Sequence, residues 1–335
     1  TSYYDASRAN AVTADIRRIT VVDGSITANI SVVRNNPVDP RDPGGDLGNV
    51  TVRNGNISGG MNIAGDIRRI NVDTGHILNT LTATGSIWNV TVRTGNLAGN
   101  LNAAQDLRTV TVNTGNVSGN LTVGGDLWNL RLRDGSATGD IDVTGLARRI
   151  DVRDGDLGDT TSTVTLGELR TLRITNGMLS GAGFTVNGDA RNLRVNNSGG
   201  TAVDAPLTVN GYTRMARFDG DVTGDLAFGD GDPADGVRTL YFMGDLDAEL
   251  DVMGDLWNLT LRNGDVVTNS DVGDPRITVS GDARRMNFLG SNAAPADVND
   301  EILVVGALDA FNSRNGDVAA ALRGGSLGRM MFNGA

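Results

Sequence analysis

The sequence predicts an all-β fold: a single parallel β-solenoid with about 20 residues per coil and about fifteen coils. Three observations carry this. A repeat of about 20 residues holds its register between residues 65 and 145. Its apolar positions follow the period-two spacing of strands and show no helical spacing. A glycine recurs at one place in each unit, after Thr or Asp, where a corner needs a positive φ. A unit of this size is too small to bury its own core and must stack on its copies.

The repeat opens with a strand. Gly65-Asp66-Ile67-Arg68-Arg69-Ile70-Asn71-Val72 is followed by Gly85-Ser86-Ile87-Trp88-Asn89-Val90-Thr91-Val92 and by Gln105-Asp106-Leu107-Arg108-Thr109-Val110-Thr111-Val112. Gly125-Asp126-Leu127-Trp128-Asn129-Leu130-Arg131-Leu132 continues the series. A turn such as Thr94-Gly95 comes next, and then a second short apolar piece such as Asn100-Leu101-Asn102-Ala103. The unit reads G-D-Φ-x-x-Φ-x-Φ-x-x-G-x-Φ-x-G-N-Φ-x-Φ-x, where Φ is aliphatic. In a stack, each strand pairs with its equivalent one coil away, and equivalent side chains form columns. One column runs Ile67, Ile87, Leu107, Leu127; others run Ile70, Val90, Val110, Leu130 and Val72, Val92, Val112, Leu132. A fourth, Leu81, Leu101, Leu121, Ile141, belongs to another wall. Buried parallel strands favour such β-branched and leucine residues. Parallel crossovers are right-handed, and so is the expected coil.

One solenoid domain spans residues 1–335, with regular coils over 15–160 and irregular, wider coils with loop insertions over 161–335. Beyond residue 146 the spacing of coil starts rises to between 19 and 27 residues, and Phe218, Phe242, Met286, Phe288, Phe311 and Phe332 replace Val and Leu. Fifteen coils stacked at the strand spacing of about 4.8 Å would give a rod of roughly 70 Å.

Composition limits the function. The 335 residues carry a net charge of −11, which argues against nucleic acid because phosphate binding needs a basic face. All basic residues other than His76 are arginine, and only Glu168, Glu249 and Glu301 are glutamate. That balance suits turns and opposes helices. Cysteine is absent, which excludes disulfides and thiolate chemistry. No apolar run approaches the roughly 20 residues of a membrane helix, so no membrane insertion is expected. The chain starts at Thr1 rather than Met, as after removal of a leader.

The solenoid ends are one candidate site, since unpaired strand edges invite polymerisation. The run 325–334 supplies the first strand and corner of a coil, and 10–14 could close one before Asp15. Val12, Ile16, Leu327, Met330 and Phe332 would then form a head-to-tail interface between copies. The alternative is that the chain is cut from a longer repeat array. A second candidate is an exposed edge of Arg68, Trp88, Arg108, Trp128 and Arg148, either a glycan- or partner-binding ridge or a cation–π ladder. Trp257 occupies the same repeat position. Arg53, Asp73 and Arg93 alternate in charge along an outward column, whereas Arg133 above Arg153 stacks like charges. Asp134 and Asp154 are the expected offset there. His76 reads as an exposed corner residue. Asp230, Asp232 and Asp235 space three carboxylates around glycines in a pattern suited to calcium. Asp39 and Asp42, and the run 297–301, are weaker versions of the pattern. Asp204 with the 230–235 carboxylates are the only loop acids that a carbohydrate-active enzyme around 200–240 could use. The column Thr51, Asn71, Thr91, Thr111, Arg131 is too broken for an ice-binding array. No catalytic residue is expected.

The unit D-L-W-N-L-x-L-R-x-G, at 126–135 and 255–264 and each time preceded by glycine, resembles the β-strand repeats of large bacterial surface proteins such as giant exoproteins, adhesins and surface-layer components. The resemblance implies secretion, a place on the cell surface, a scaffolding or adhesive role and frequently calcium, and carries over no catalytic residue. The expectation is an extracellular structural protein that partners itself, with a glycan-binding module as the alternative.

Overall fold

The structure, a computed structural model, describes residues 15–33, 45–232, 235–267, 276–291, 296–319 and 321–333. The chain divides into two compact units, Thr1–Asp159 and Thr160–Ala335. Each is built from parallel strands, and the coil starts enclose about 14 turns of about 20 residues. The described residues include no helix, and so none long and apolar enough to cross a membrane.

In the first unit the long wall is a parallel stack of Ile16–Asp23, Leu47–Asn54, Ile67–Thr74, Ile87–Thr94, Leu107–Thr114 and Leu127–Leu132. The register is the one that the repeat dictates: Ile67 pairs with Ile87, Ile87 with Leu107, and Leu107 with Leu127. These residues, and those of the Ile70 and Val72 columns, are fully buried. The short wall stacks Met61–Ile63, Leu81–Ala83, Leu101–Ala103 and Leu121–Val123 in the same manner. A third side emerges in the structure. Ile57, Ile77, Leu97, Val117, Ala137 and Leu157 pair in parallel as single-residue bridges, one per coil. One residue between two corners is too short to show alternation, so periodicity alone places the residue without revealing its wall. Each fully buried aliphatic side chain contributes about 1.5–3 kcal/mol of burial, opposed by the ordering entropy of its coil.

Corner glycines behave as expected at Gly75, Gly95, Gly115 and Gly135, where φ lies between 127° and 140°. The next corner departs from the pattern. The positive φ (51°) falls on Asp154 rather than on Gly155. Asp and Asn tolerate the left-handed region because their short side chains bond locally. Asn176, Asn263 and Asn315 repeat this substitution in the second unit, each just before a glycine.

The second unit stacks the long wall from Thr163–Thr175 through Ala190–Val203, Thr213–Val222, Gly236–Met243, Asp255–Arg262, Ala283–Leu289 and Ile302–Arg314 to Leu322–Asn333, again all parallel. The longer coils are absorbed locally. The ladder between Ala190–Val203 and its neighbour slips register at Asn196/Thr201 and again at Thr201/Val203. Phe218 and Phe242 stack within one core column with centroids 5.5 Å apart, whereas Phe288 and Phe311 come from adjacent columns and meet tilted at 5.3 Å.

Corner geometry makes a direct prediction. Gly95 has φ +132°, and an added Cβ would overlap the Gly75 carbonyl oxygen of the neighbouring coil. Gly95→Ala is expected to destabilise the first unit by about 2 kcal/mol or more. Gly183→Ala, which meets nothing within 4 Å, should stay within about 0.5 kcal/mol of the parent. Urea denaturation midpoints of the two variants check this.

Candidate functional site

At the corners the chain leaves the main strand ladders, and short side chains accept its N–H groups instead. The Asp66 N–H donates to Asp46 Oδ1 at 2.9 Å and the Ser86 N–H to Asp66 Oδ1 at 2.8 Å. The Asp126 and Leu146 N–H groups donate likewise to Asp106 and Asp126, both at 3.0 Å. A second ladder follows the corner glycines, where Ser25, Asn56, His76, Asn96, Asn116 and Ser136 each accept the N–H of the residue one coil on. His76 is therefore not merely an exposed corner residue. It is half-buried, and its Nδ1 accepts the Asn96 N–H at 2.9 Å. The signal was present in the sequence as a column of Ser and Asn. His76 hides in that column because its Nδ1 takes the place of an amide oxygen.

In the second unit the same ladder is built of carboxylates. The N–H groups of Asp245, Asp265, Asp297 and Asp317 donate to Oδ1 of Asp221, Asp245, Asp265 and Asp297 at 2.7–3.0 Å. Burial, and then the neighbouring charges of Asp297 and Asp245, raise the Asp265 carboxyl above its ordinary value, against the lowering effect of the Asp297 N–H.

The Arg/Trp edge forms as a ladder of rings and guanidinium groups. Arg108 lies 4.0 Å from the Trp88 ring centroid and 5.3 Å from that of Trp128, while Arg148 lies 3.9 Å from Trp128. Arg284 covers Trp257 in the same way at 4.1 Å. Arg68 departs from this scheme and pairs with Asp46 at 3.3 Å. The three rings remain 38–41% exposed. In the charge column, Arg93 Nε lies 3.5 Å from Asp73 Oδ1. Arg153 is paired with Asp151 at 3.3 Å, and Arg149 joins the same carboxylate at 2.8 Å. This fully buried carboxylate is the offset the structure shows for Arg153.

The loop carboxylates stay close in the chain. The Asp232 N–H donates to Asp230 Oδ1 at 3.0 Å, and the Asp235 N–H to the Asp232 carbonyl at 2.9 Å. Burial, followed by Asp230, Asp232 and Asp189, pushes the Asp235 carboxyl up. Among the described residues no three acidic or imidazole side chains converge as a metal-ligand group. Asp39 and Asp42 lie outside the described residues, as do Val12 and the proposed half-coil over 10–14.

The last described coil of the second unit is open. Leu327 is 46% and Phe332 55% exposed, although their column neighbours Leu308 and Ser313 are each 1% exposed. Met330 lies between them, half-buried beside Phe311. Leu327, Met330 and Phe332, with Val318 and Leu322, line a recess of about 470 Å³. In the first unit, Ile16, Ile19 and Val21 occupy the corresponding positions of their coil and are half-buried, whereas Leu47, Val50 and Val52 on the next coil are fully buried. No family model, curated protein or solved structure matches the chain.

Two expectations follow from the ladders. His76→Asn preserves the acceptor and should leave stability within about 0.5 kcal/mol, while His76→Ala strands the Asn96 N–H and should cost about 1 kcal/mol; denaturation midpoints distinguish the two. For Asp265 the folded-state carboxyl titrates above its unfolded value. Its ionised form therefore weakens the fold at neutral pH, and that penalty disappears as pH falls through the folded pKa. Asp265→Asn, which keeps Oδ1, should raise the second unit's melting temperature at pH 7, with the advantage shrinking on acidification. A constant advantage across pH would contradict this origin.

Proposed function

We propose that the chain is a non-catalytic structural module of an extracellular assembly. In this reading copies stack head to tail, coil on coil, into a filament or surface coat. One observation carries it: the apolar columns that are sealed in interior coils are exposed on the last described coil at Leu327 and Phe332 and half-buried at Met330. Their spacing matches that of Ile16, Ile19 and Val21. A second copy could therefore continue both the backbone ladder and the columns in the register used throughout. The resemblance of the repeat to bacterial surface proteins supports an extracellular setting. Calcium has no part in the stacking itself, which uses backbone pairing and apolar burial.

A second reading, an adhesive module, is favoured by the exposed rings of Trp88, Trp128 and Trp257. Their cation–π partners already cover part of each ring, which leaves less of it for a sugar, so assembly is the preferred function.

Negative-stain electron microscopy of the purified chain, with calcium and then with a chelator, tests the assembly. Continuous fibres that persist in chelator are expected, and Leu327→Asp combined with Phe332→Asp should convert them to single particles that melt at nearly the parent temperature. Single particles from the parent chain at all concentrations would overturn the proposal.

A further inference from the structure

One outward column of the second unit is unusual in a chain of net charge −11. The position after the first core residue of the long wall is Arg170, Arg191, Arg214 and Arg238 in four consecutive coils. All four side chains are exposed. Adjacent strands lie about 4.8 Å apart, and like charges directly opposed on neighbouring strands destabilise a sheet.

The same position in the first unit shows how the protein otherwise handles this. There Arg68 and Arg148 pair with Asp46 and Asp126, and Trp88 and Trp128 are interleaved so that each ring takes a guanidinium. Among the described residues the run of four has neither device. Ion pairs among the described residues of the second unit engage Arg194, Arg217, Arg276 and Arg323, and none of these four. The cation–π contacts there use Arg217 and Arg284. Arg191, Arg214 and Arg238 line a recess of about 400 Å³ with Tyr212. Its carboxylate, Asp189, has Oδ1 already occupied by the Tyr212 N–H at 3.0 Å. Beyond Arg238 the column continues to Trp257, whose ring is 41% exposed.

We infer that this column binds an acidic polysaccharide of the polyuronate type, laid across the strands from coil to coil. Guanidinium forks match carboxylates two oxygens at a time. One arginine per coil presents cations at a spacing comparable to the rise of an extended pyranose chain, with one carboxylate per sugar. Tyr212 lines the recess beside these guanidinium groups, and the part of the Trp257 ring that Arg284 leaves uncovered borders the column. A ligand of higher charge density, such as nucleic acid or a heavily sulfated glycan, would meet the repulsion of the remaining surface. The site is separate from the coil ends, so it stands whether or not copies assemble.

The test uses the full chain and labelled polygalacturonate, read by fluorescence anisotropy at low and at moderate salt. Dextran serves as the neutral control, with heparin and single-stranded oligo(dT) as polyanions of other classes. Polygalacturonate should bind in a salt-sensitive manner, and dextran should not. Each arginine removed should weaken binding by about two- to fivefold. Arg191→Gln with Arg214→Gln should therefore show a compounded loss, while Arg53→Gln in the first unit should show none. Without ligand the double variant should melt at or above the parent temperature, because it removes like-charge repulsion. Arg191→Lys with Arg214→Lys, which retains the charge, provides a folded comparison. No binding of polygalacturonate, or equal binding by the Gln double variant, would overturn the assignment. Tighter binding of heparin or oligo(dT) that is lost in the double variant would overturn the ligand class.

Discussion

Everything in this protein depends on the parallel hydrogen bonds between one coil and the next. A strand in a solenoid has no partner within its own coil, so both of its edges must be met by the coils on either side. That requirement imposes a matched register along each wall and columns of equivalent residues, and it confines extra length to corners and local slips such as those at Asn196/Thr201 and Thr201/Val203. It also makes burial conditional. Val72 and Val92 are fully buried because other coils cover them, whereas Leu327 and Phe332 carry the same kind of side chain on a coil with one face open. The proposed assembly is the same physics continued between molecules.

The corner ladders explain a composition that would otherwise look like mere bias. An acceptor that reaches the N–H one coil away must be short and rigid, and Asp, Asn and Ser meet that need. Glutamate and lysine have no role in such a corner, which agrees with three glutamates and no lysine in 335 residues. Amide or hydroxyl acceptors make up the ladder after the corner glycines in the first unit, with His76 standing in for one of them. The second unit uses carboxylates from Asp221 to Asp297, where burial first and the neighbouring charges second raise the Asp265 carboxyl.

The same outward repeat position serves two chemistries in the two units. Where rings and guanidinium groups alternate, as from Trp88 to Arg148, the charges are absorbed within the sheet. Where arginines run uninterrupted, from Arg170 to Arg238, no described side chain neutralises them. The difference lies in the neighbouring coils, not in the arginines themselves.

From the sequence alone came the parallel solenoid, the period, the long- and short-wall columns and the corners at Gly75, Gly95, Gly115 and Gly135. Period-two alternation and a fixed repeat length are local properties that need no knowledge of neighbours. The tertiary structure decided the third wall through Ile57, Ile77 and Leu97, since a one-residue bridge has no period. It moved the positive φ from Gly155 to Asp154, because both residues tolerate it and only the path of the corner chooses. It also placed His76 in a hydrogen-bond ladder and, among the described residues, left Arg191, Arg214 and Arg238 without carboxylate partners. Partnership between side chains on different coils is set by distances of a few ångströms across the stack, which column membership does not specify.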